Sequence, residues 1–138
     1  MLANTSEPLL IGKVQKLSGV PIRTIRYYET LGIIKPLGRT ESGYRKFSQD
    51  ILARLSFIKR AQKLGLSLQE IGSILQVYDD GEAPCDQIHY QLENKILEIE
   101  KQIQNLQVLQ NELKELLLGW KSVSNKPSNM ICPNIQKN

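Results

Sequence analysis

The amino-acid sequence predicts a mainly α-helical protein in two parts, a small basic head and one long helix. Three observations carry that expectation. Two short helical patterns are joined by the turn Ser18-Gly19-Val20, and the second opens on Pro21 and carries Arg23 and Arg26. The stretch GRTESGYRKF then sets Arg39-Thr40 and Tyr44-Arg45-Lys46-Phe47 on either side of the turn residues Glu41-Ser42-Gly43. Finally, no Gly or Pro occurs from Cys85 to Leu118, and apolar residues recur there every seven positions.

The first helix covers residues 11–17, where Ile11, Val14 and Leu17 fall on one face. Pro21 suits the first position of the next helix, residues 21–30, because an amide there has no acceptor within the helix. Ile22, Ile25 and one of Tyr28 and Leu31 form its inner face, and Gly32 is its stop. Two helices about a short glycine turn, the second of them basic, make a helix-turn-helix. The hairpin after it reads as a wing. Ser48 is expected to cap a helix running to residue 63, with Ile51, Leu55, Ile58 and Ala61 or Gln62 inward, and Gly65 ends it. Ser67-Leu68-Gln69-Glu70 is a capping box, in which hydroxyl and carboxylate satisfy each other's free amides. The fourth helix runs to about residue 78 with Leu68, Ile71, Ile74 and Leu75 inward.

After the turn DDGEAP, Leu92, Ile99, Leu106 and Leu113 repeat every seven residues. Ile96, Ile103 and Leu117 repeat in the same way, with Gln110 in the remaining place. This is a coiled-coil seam of about four heptads, on a helix roughly 50 Å long at ~1.5 Å per residue. A single helix cannot bury such a stripe. Either a second copy covers it, giving a homodimer, or it folds back on the head; periodicity does not separate parallel from antiparallel pairing. The expected organisation is a winged helix-turn-helix domain at 8–78, a dimerisation helix at 84–119 and an effector loop or tail at 120–138. That tail is polar except for Met130-Ile131-Cys132-Pro133-Asn134-Ile135, an apolar island expected to dock.

The net charge of +4 conceals an asymmetry. Residues 1–77 hold 12 Lys and Arg against 5 Asp and Glu and include every arginine, whereas residues 78–138 hold 6 Lys against 9 acids. Arginine concentrated in the head favours a nucleic-acid partner there, since its planar fork matches phosphates and base edges. On the second helix, Arg23, Thr24, Arg26 and Tyr27 are candidates for the major groove of double-stranded DNA. Arg39, Tyr44 and Arg45 of the wing are candidates for flanking phosphates. Adjacent helical side chains point about 100° apart, so one of Tyr27 and Tyr28 belongs to the core. A Gly-rich phosphate loop and a nucleophile paired with a base are both missing from the sequence, which excludes an enzyme. No apolar run reaches the roughly 18 residues needed to span a bilayer. The start lacks the basic and apolar regions of a secretory signal, so a cytoplasmic location without a membrane partner is expected.

The stretch IGKVQKLSGVPIRTIRYYETLGIIKPLGRTESGYRKF resembles the winged helix-turn-helix signature of MerR-family transcription regulators. Its T-I-R-Y-Y-E…L-G and R…G-Y-R-x-F motifs are specific in combination, and the resemblance covers residues 10–118. It implies a homodimer joined by an antiparallel coiled coil. It also implies a promoter whose spacer between RNA polymerase elements is too long, twisted into register when an effector binds. In the heavy-metal branch (mercury, zinc, cadmium or lead type), one cysteine starts the dimerisation helix and others lie in a loop after it. Cys85 in GEAPCDQ matches the first, a position that goes with divalent ions, and Cys132 in MICPNI resembles the last. Near the end of the helix, where a further cysteine is usual, this chain reads ELLLGWKSVSN, with Trp120 and no thiol.

A soft divalent ion of the Hg, Zn, Cd or Pb class is therefore the effector that the resemblance implies. Two thiolates suffice for linear coordination of Hg²⁺, whereas tetrahedral Zn²⁺ needs two more ligands. His89, four residues after Cys85 on the same face, is either a third ligand or a solvent-facing histidine. The other readings are a thiol redox switch, silent cysteines with a non-metal signal, and an architectural DNA-binding protein without effector. About 20 residues follow the long helix, too few for a pocket that holds an organic molecule.

Overall fold

A computed structural model describes residues 7–136. They form β1 (Leu9–Leu10), α1 (Ile11–Ser18), α2 (Ile22–Thr30), β2 (Gly38–Arg39), β3 (Arg45–Phe47), α3 (Ile51–Lys63), α4 (Leu68–Asp79), α5 (Cys85–Leu118) and α6 (Pro133–Gln136). The chain divides into two compact units, the first running through Glu93 and the second starting at Asn94. The division thus falls inside α5.

In the first unit, α1 ends on Gly19, whose φ of +76° is a left-handed conformation that a side chain would strain. Pro21 is the residue that caps α2 rather than its first member, with ψ 148° and its carbonyl accepting from Thr24 and Ile25. The free amide of Ile22 is satisfied from outside the helix, by Gln15 Oε1 of α1 at 2.8 Å. That bond fixes the start of α2 against α1. Leu17, expected inward, is 51% exposed: it stands at the last turn of a short helix, on the rim of a groove shared with Lys59 and Lys63.

The wing is a three-stranded antiparallel sheet in the order β1-β3-β2, with Leu9 opposite Phe47 and Arg39 opposite Arg45. The β1 strand was not expected, because two residues carry no readable alternation. Ser48 does not cap α3. Its hydroxyl accepts from Asp50 in a turn that leads off β3, and the helix starts at Ile51 without a side-chain cap. The capping box at Ser67 and Glu70 is formed as expected, with bonds of 3.1 and 2.8 Å.

The core gathers Leu9, Val14, Ile25, Tyr28, Ile34, Phe47, Leu55, Ile58, Ile71 and Ile74 from β1, α1, α2, β3, α3, α4 and the loop after α2. Ile88 and Leu92, on the opening turns of α5, pack against it half-buried. Leu92, assigned to the seam from its heptad position, therefore contacts the head of its own chain.

In the second unit, α5 continues to Leu118 with no buried residue. Ile96, Ile99, Ile103, Leu106, Leu113 and Leu117 are 45–68% exposed. In the tail, Ile131 is 89% and Ile135 60% exposed, while Met130, Cys132 and Pro133 are half-buried. The last two residues of the expected tail, 137 and 138, lie outside the described residues. No helix among the described residues is long and apolar enough to cross a membrane.

Candidate nucleic-acid interface and cysteine sites

The α2 helix has one face committed to the core and one face free. Ile25 and Tyr28 point inward, while Arg23, Arg26 and Tyr27 are exposed and Thr24 is half-buried. The tyrosine pair is thereby divided. Tyr28 donates its hydroxyl to Gln62 Oε1 of α3 at 2.8 Å, and burial holds its pKa above the usual phenol value, so it stays a neutral donor. Tyr27 is 53% exposed and remains available as a phosphate ligand.

The wing turn is braced by its own side chains. Thr40 Oγ1 accepts from the Tyr44 amide at 3.0 Å, and Arg39 Nη1 donates to the Gly43 carbonyl at 3.0 Å. Tyr44 stands 64% exposed at the tip. Arg45 is engaged differently. Its Nε donates to one oxygen of Glu29 at 2.9 Å and lies 2.8 Å from the other, and the Glu29 side chain is only 19% exposed. This pair ties the wing to α2 across 16 residues of sequence. The Arg45 side chain as a whole is 31% exposed.

Glu29 and Arg54 were both missed in the sequence. Glu29 stands four residues after the buried Ile25, which marks a half-inner position, but nothing local names its partner. Arg54 donates Nε to the Ile33 carbonyl at 2.7 Å and grips Asp79 with both terminal nitrogens at 2.7 and 2.9 Å. It thus clamps the loop after α2 to the end of α4. The hydrogen bond from Arg54 is the main reason that Asp79 has a pKa below the usual carboxylate range.

The two cysteines are free thiols in different units. Cys85 is exposed at the first residue of α5, and Cys132 is half-buried just before α6. His89 is 75% exposed, with Nδ1 3.4 Å from Glu93 Oε1. Among the described residues no group of three or more His, Cys, Asp or Glu could hold a metal ion. The donor set of one chain therefore does not fit a tetrahedral ion. Two thiols fit a soft ion that accepts two ligands.

Residues 9–77 match the MerR HTH family regulatory protein family, and residues 52–116 match the family described as MerR, DNA binding. The chain belongs to the MerR family. It is accordingly a DNA-binding transcription regulator and not an enzyme. It is similar to the mercuric resistance operon regulatory protein of Bacillus cereus, 43% identical over 106 residues, which are 77% of this chain and 80% of that one. Among solved structures it resembles the regulator PbrR691 of Ralstonia metallidurans in complex with lead(II). That match has a TM-score of 0.73 and 26% identity, covering 85% of this chain and 91% of the other. It also resembles the dual-function regulator MerR of Bacillus megaterium in complex with mercury(II). There the identity is 38% and the TM-score 0.55, with 86% and 89% covered.

Proposed function

We propose that this MerR-family regulator binds a promoter as a homodimer and activates transcription by distorting the DNA when a soft divalent ion is bound. The observation that carries the metal reading is the pair of free thiols bracketing α5, one starting the helix and one in the tail after it. Relatives and neighbours described as mercury and lead regulators support it. The parts divide the work as 8–78 for DNA, 84–119 for dimerisation and 120–138 for the effector.

In this reading Arg23, Thr24, Arg26 and Tyr27 enter the major groove while Arg39, Tyr44 and Arg45 hold flanking phosphates. The seam from Ile96 through Leu113 joins two copies. Cys85 of one protomer and Cys132 of the other would hold the ion, and an ion of the Hg²⁺ class, when bound, would supply a soft centre that thiolate ligands suit. RNA polymerase meets the distorted promoter from the cytoplasm.

The test is a mixed dimer carrying Cys85→Ser in one subunit and Cys132→Ser in the other, titrated with Hg²⁺ under reducing conditions. Bridging between chains leaves one intact site per dimer. Pairing within a chain leaves none. A dimer with both serines in both chains that still binds Hg²⁺ tightly and activates transcription would overturn the metal reading in favour of another effector.

A further inference from the structure

In the tail after α5, one side chain reaches back to the end of the helix. Asn134 Oδ1 accepts from the Lys121 amide at 2.9 Å, and Asn134 Nδ2 donates to the Lys121 carbonyl at 2.8 Å. Both backbone groups of Lys121 are thus held across 13 residues of chain. Within this loop Gln136 Oε1 accepts from the Cys132 amide at 2.9 Å and from the Ile131 amide. Asn134 Nδ2 also lies 3.9 Å from Cys132 Sγ, within range of a weak hydrogen bond to sulfur. Ile131 and Ile135 are largely exposed and Met130 is half-buried.

We propose that Asn134 is the positioning residue of Cys132: it folds the tail into its binding shape before any ion arrives. This inference rests on the metal reading above. The physical reason is entropic. A free tail would have to be closed at the moment of metal capture, and closure of a loop of this length costs conformational entropy that the clasp has already met. A thiol held at the base of a closed loop also has a higher effective concentration at its site than one on a loose end. The carboxamide suits the task because it offers one acceptor and one donor in a plane, matching one peptide unit.

The experiment uses the full-length reduced dimer and Hg²⁺ as probe, in competition with a dithiol chelator. Wild type, Asn134→Ala, Asn134→Asp and Cys132→Ser are compared. Three further readouts are taken: the alkylation rate of Cys132, amide exchange at Lys121, and the melting of the whole chain. Asn134→Ala is expected to weaken Hg²⁺ binding about tenfold or more, as loss of groups supporting metal ligands generally does. It should speed Cys132 alkylation and Lys121 exchange while leaving melting unchanged. Asn134→Asp keeps the acceptor for the Lys121 amide and loses the donor, so its affinity should fall between wild type and Asn134→Ala. Hg²⁺ affinity within twofold of wild type in Asn134→Ala overturns the positioning role, even if exchange quickens. Wild-type affinity in Cys132→Ser overturns the metal reading itself, and the two failures are told apart by which variant keeps the ion.

Discussion

Phe47 and Ile103 are both large apolar side chains, yet Phe47 is fully buried and Ile103 is 51% exposed. The first stands in a unit where six short elements each contribute to one core. The second stands on a helix with no buried residue along its 34 positions. Burial of a large apolar side chain is worth roughly 1.5–3 kcal/mol, so the first unit holds its own stabilisation and α5 leaves a comparable amount unclaimed. The exposed side chains of α5 are not scattered: Ile96, Ile99, Ile103, Leu106 and Leu113 keep the seven-residue spacing of a seam. Apolar exposure in that register is the mark of a surface awaiting a second helix.

The comparison breaks most visibly if a core residue behaves like a seam residue. Phe47→Ala removes a fully buried ring beneath the wing and is expected to cost about 3–5 kcal/mol of stability. Urea denaturation followed by circular dichroism measures it, and the loss should be the same at every protein concentration. A loss that varied with concentration would mean that the first unit is completed by its partner rather than by itself.

Ile103→Asp tests the other side. A carboxylate in a seam leaves an unpaired charge in a desolvated place, and the dimer constant should weaken on the order of 100-fold. Sedimentation at micromolar concentration should show monomers whose first unit still melts cooperatively. If the unaltered chain already sedimented as a monomer, the seam would be an idle surface and the contrast drawn from Ile103 would collapse.

These two residues also mark what the sequence made legible. Local patterns were sufficient for α5 and its ends, for the capping box at Ser67, and for the inward stripe Ile51, Leu55, Ile58 and Ala61, because each depends on neighbours within a few turns. The division of Tyr27 from Tyr28 was legible as a geometric necessity, and Tyr28, with Leu31, was already a candidate for the inner face of α2. Side chains reaching across the fold were hidden. Gln15 caps the next helix, Glu29 holds Arg45, and Arg54 joins Ile33 to Asp79; each bond spans 7 to 25 residues and leaves no periodic trace. Ser48 misled because a hydroxyl before a helix serves a turn as well as a cap. In the tail, attention to the apolar island concealed the hydrogen bonds of Asn134 and Gln136, ordinary polar residues.

The smallest expected effect sharpens the contrast through pH. Asp79 is bonded at both oxygens by Arg54, and that hydrogen bond, aided by nearby positive charge from Lys35, outweighs burial and lowers its pKa. In the unfolded chain the carboxyl returns to the ordinary range near 3.9. A group whose folded pKa is depressed contributes stability that is present above the unfolded value and is lost as pH falls through the folded one. The first unit should therefore lose this contribution as the pH is lowered below about 4. The Asp79 side chain is 43% exposed, so solvent screening keeps the contribution small, at most about 1 kcal/mol. Asp79→Asn removes the titration but keeps one acceptor for Arg54. Subtracting its urea stability from that of wild type at pH 6 and again at pH 3 isolates the effect: the difference should favour wild type at pH 6 and shrink toward zero at pH 3. A difference that stayed constant across that range would show that Arg54 holds the end of α4 by shape and neutral hydrogen bonding, with the charge on Asp79 incidental.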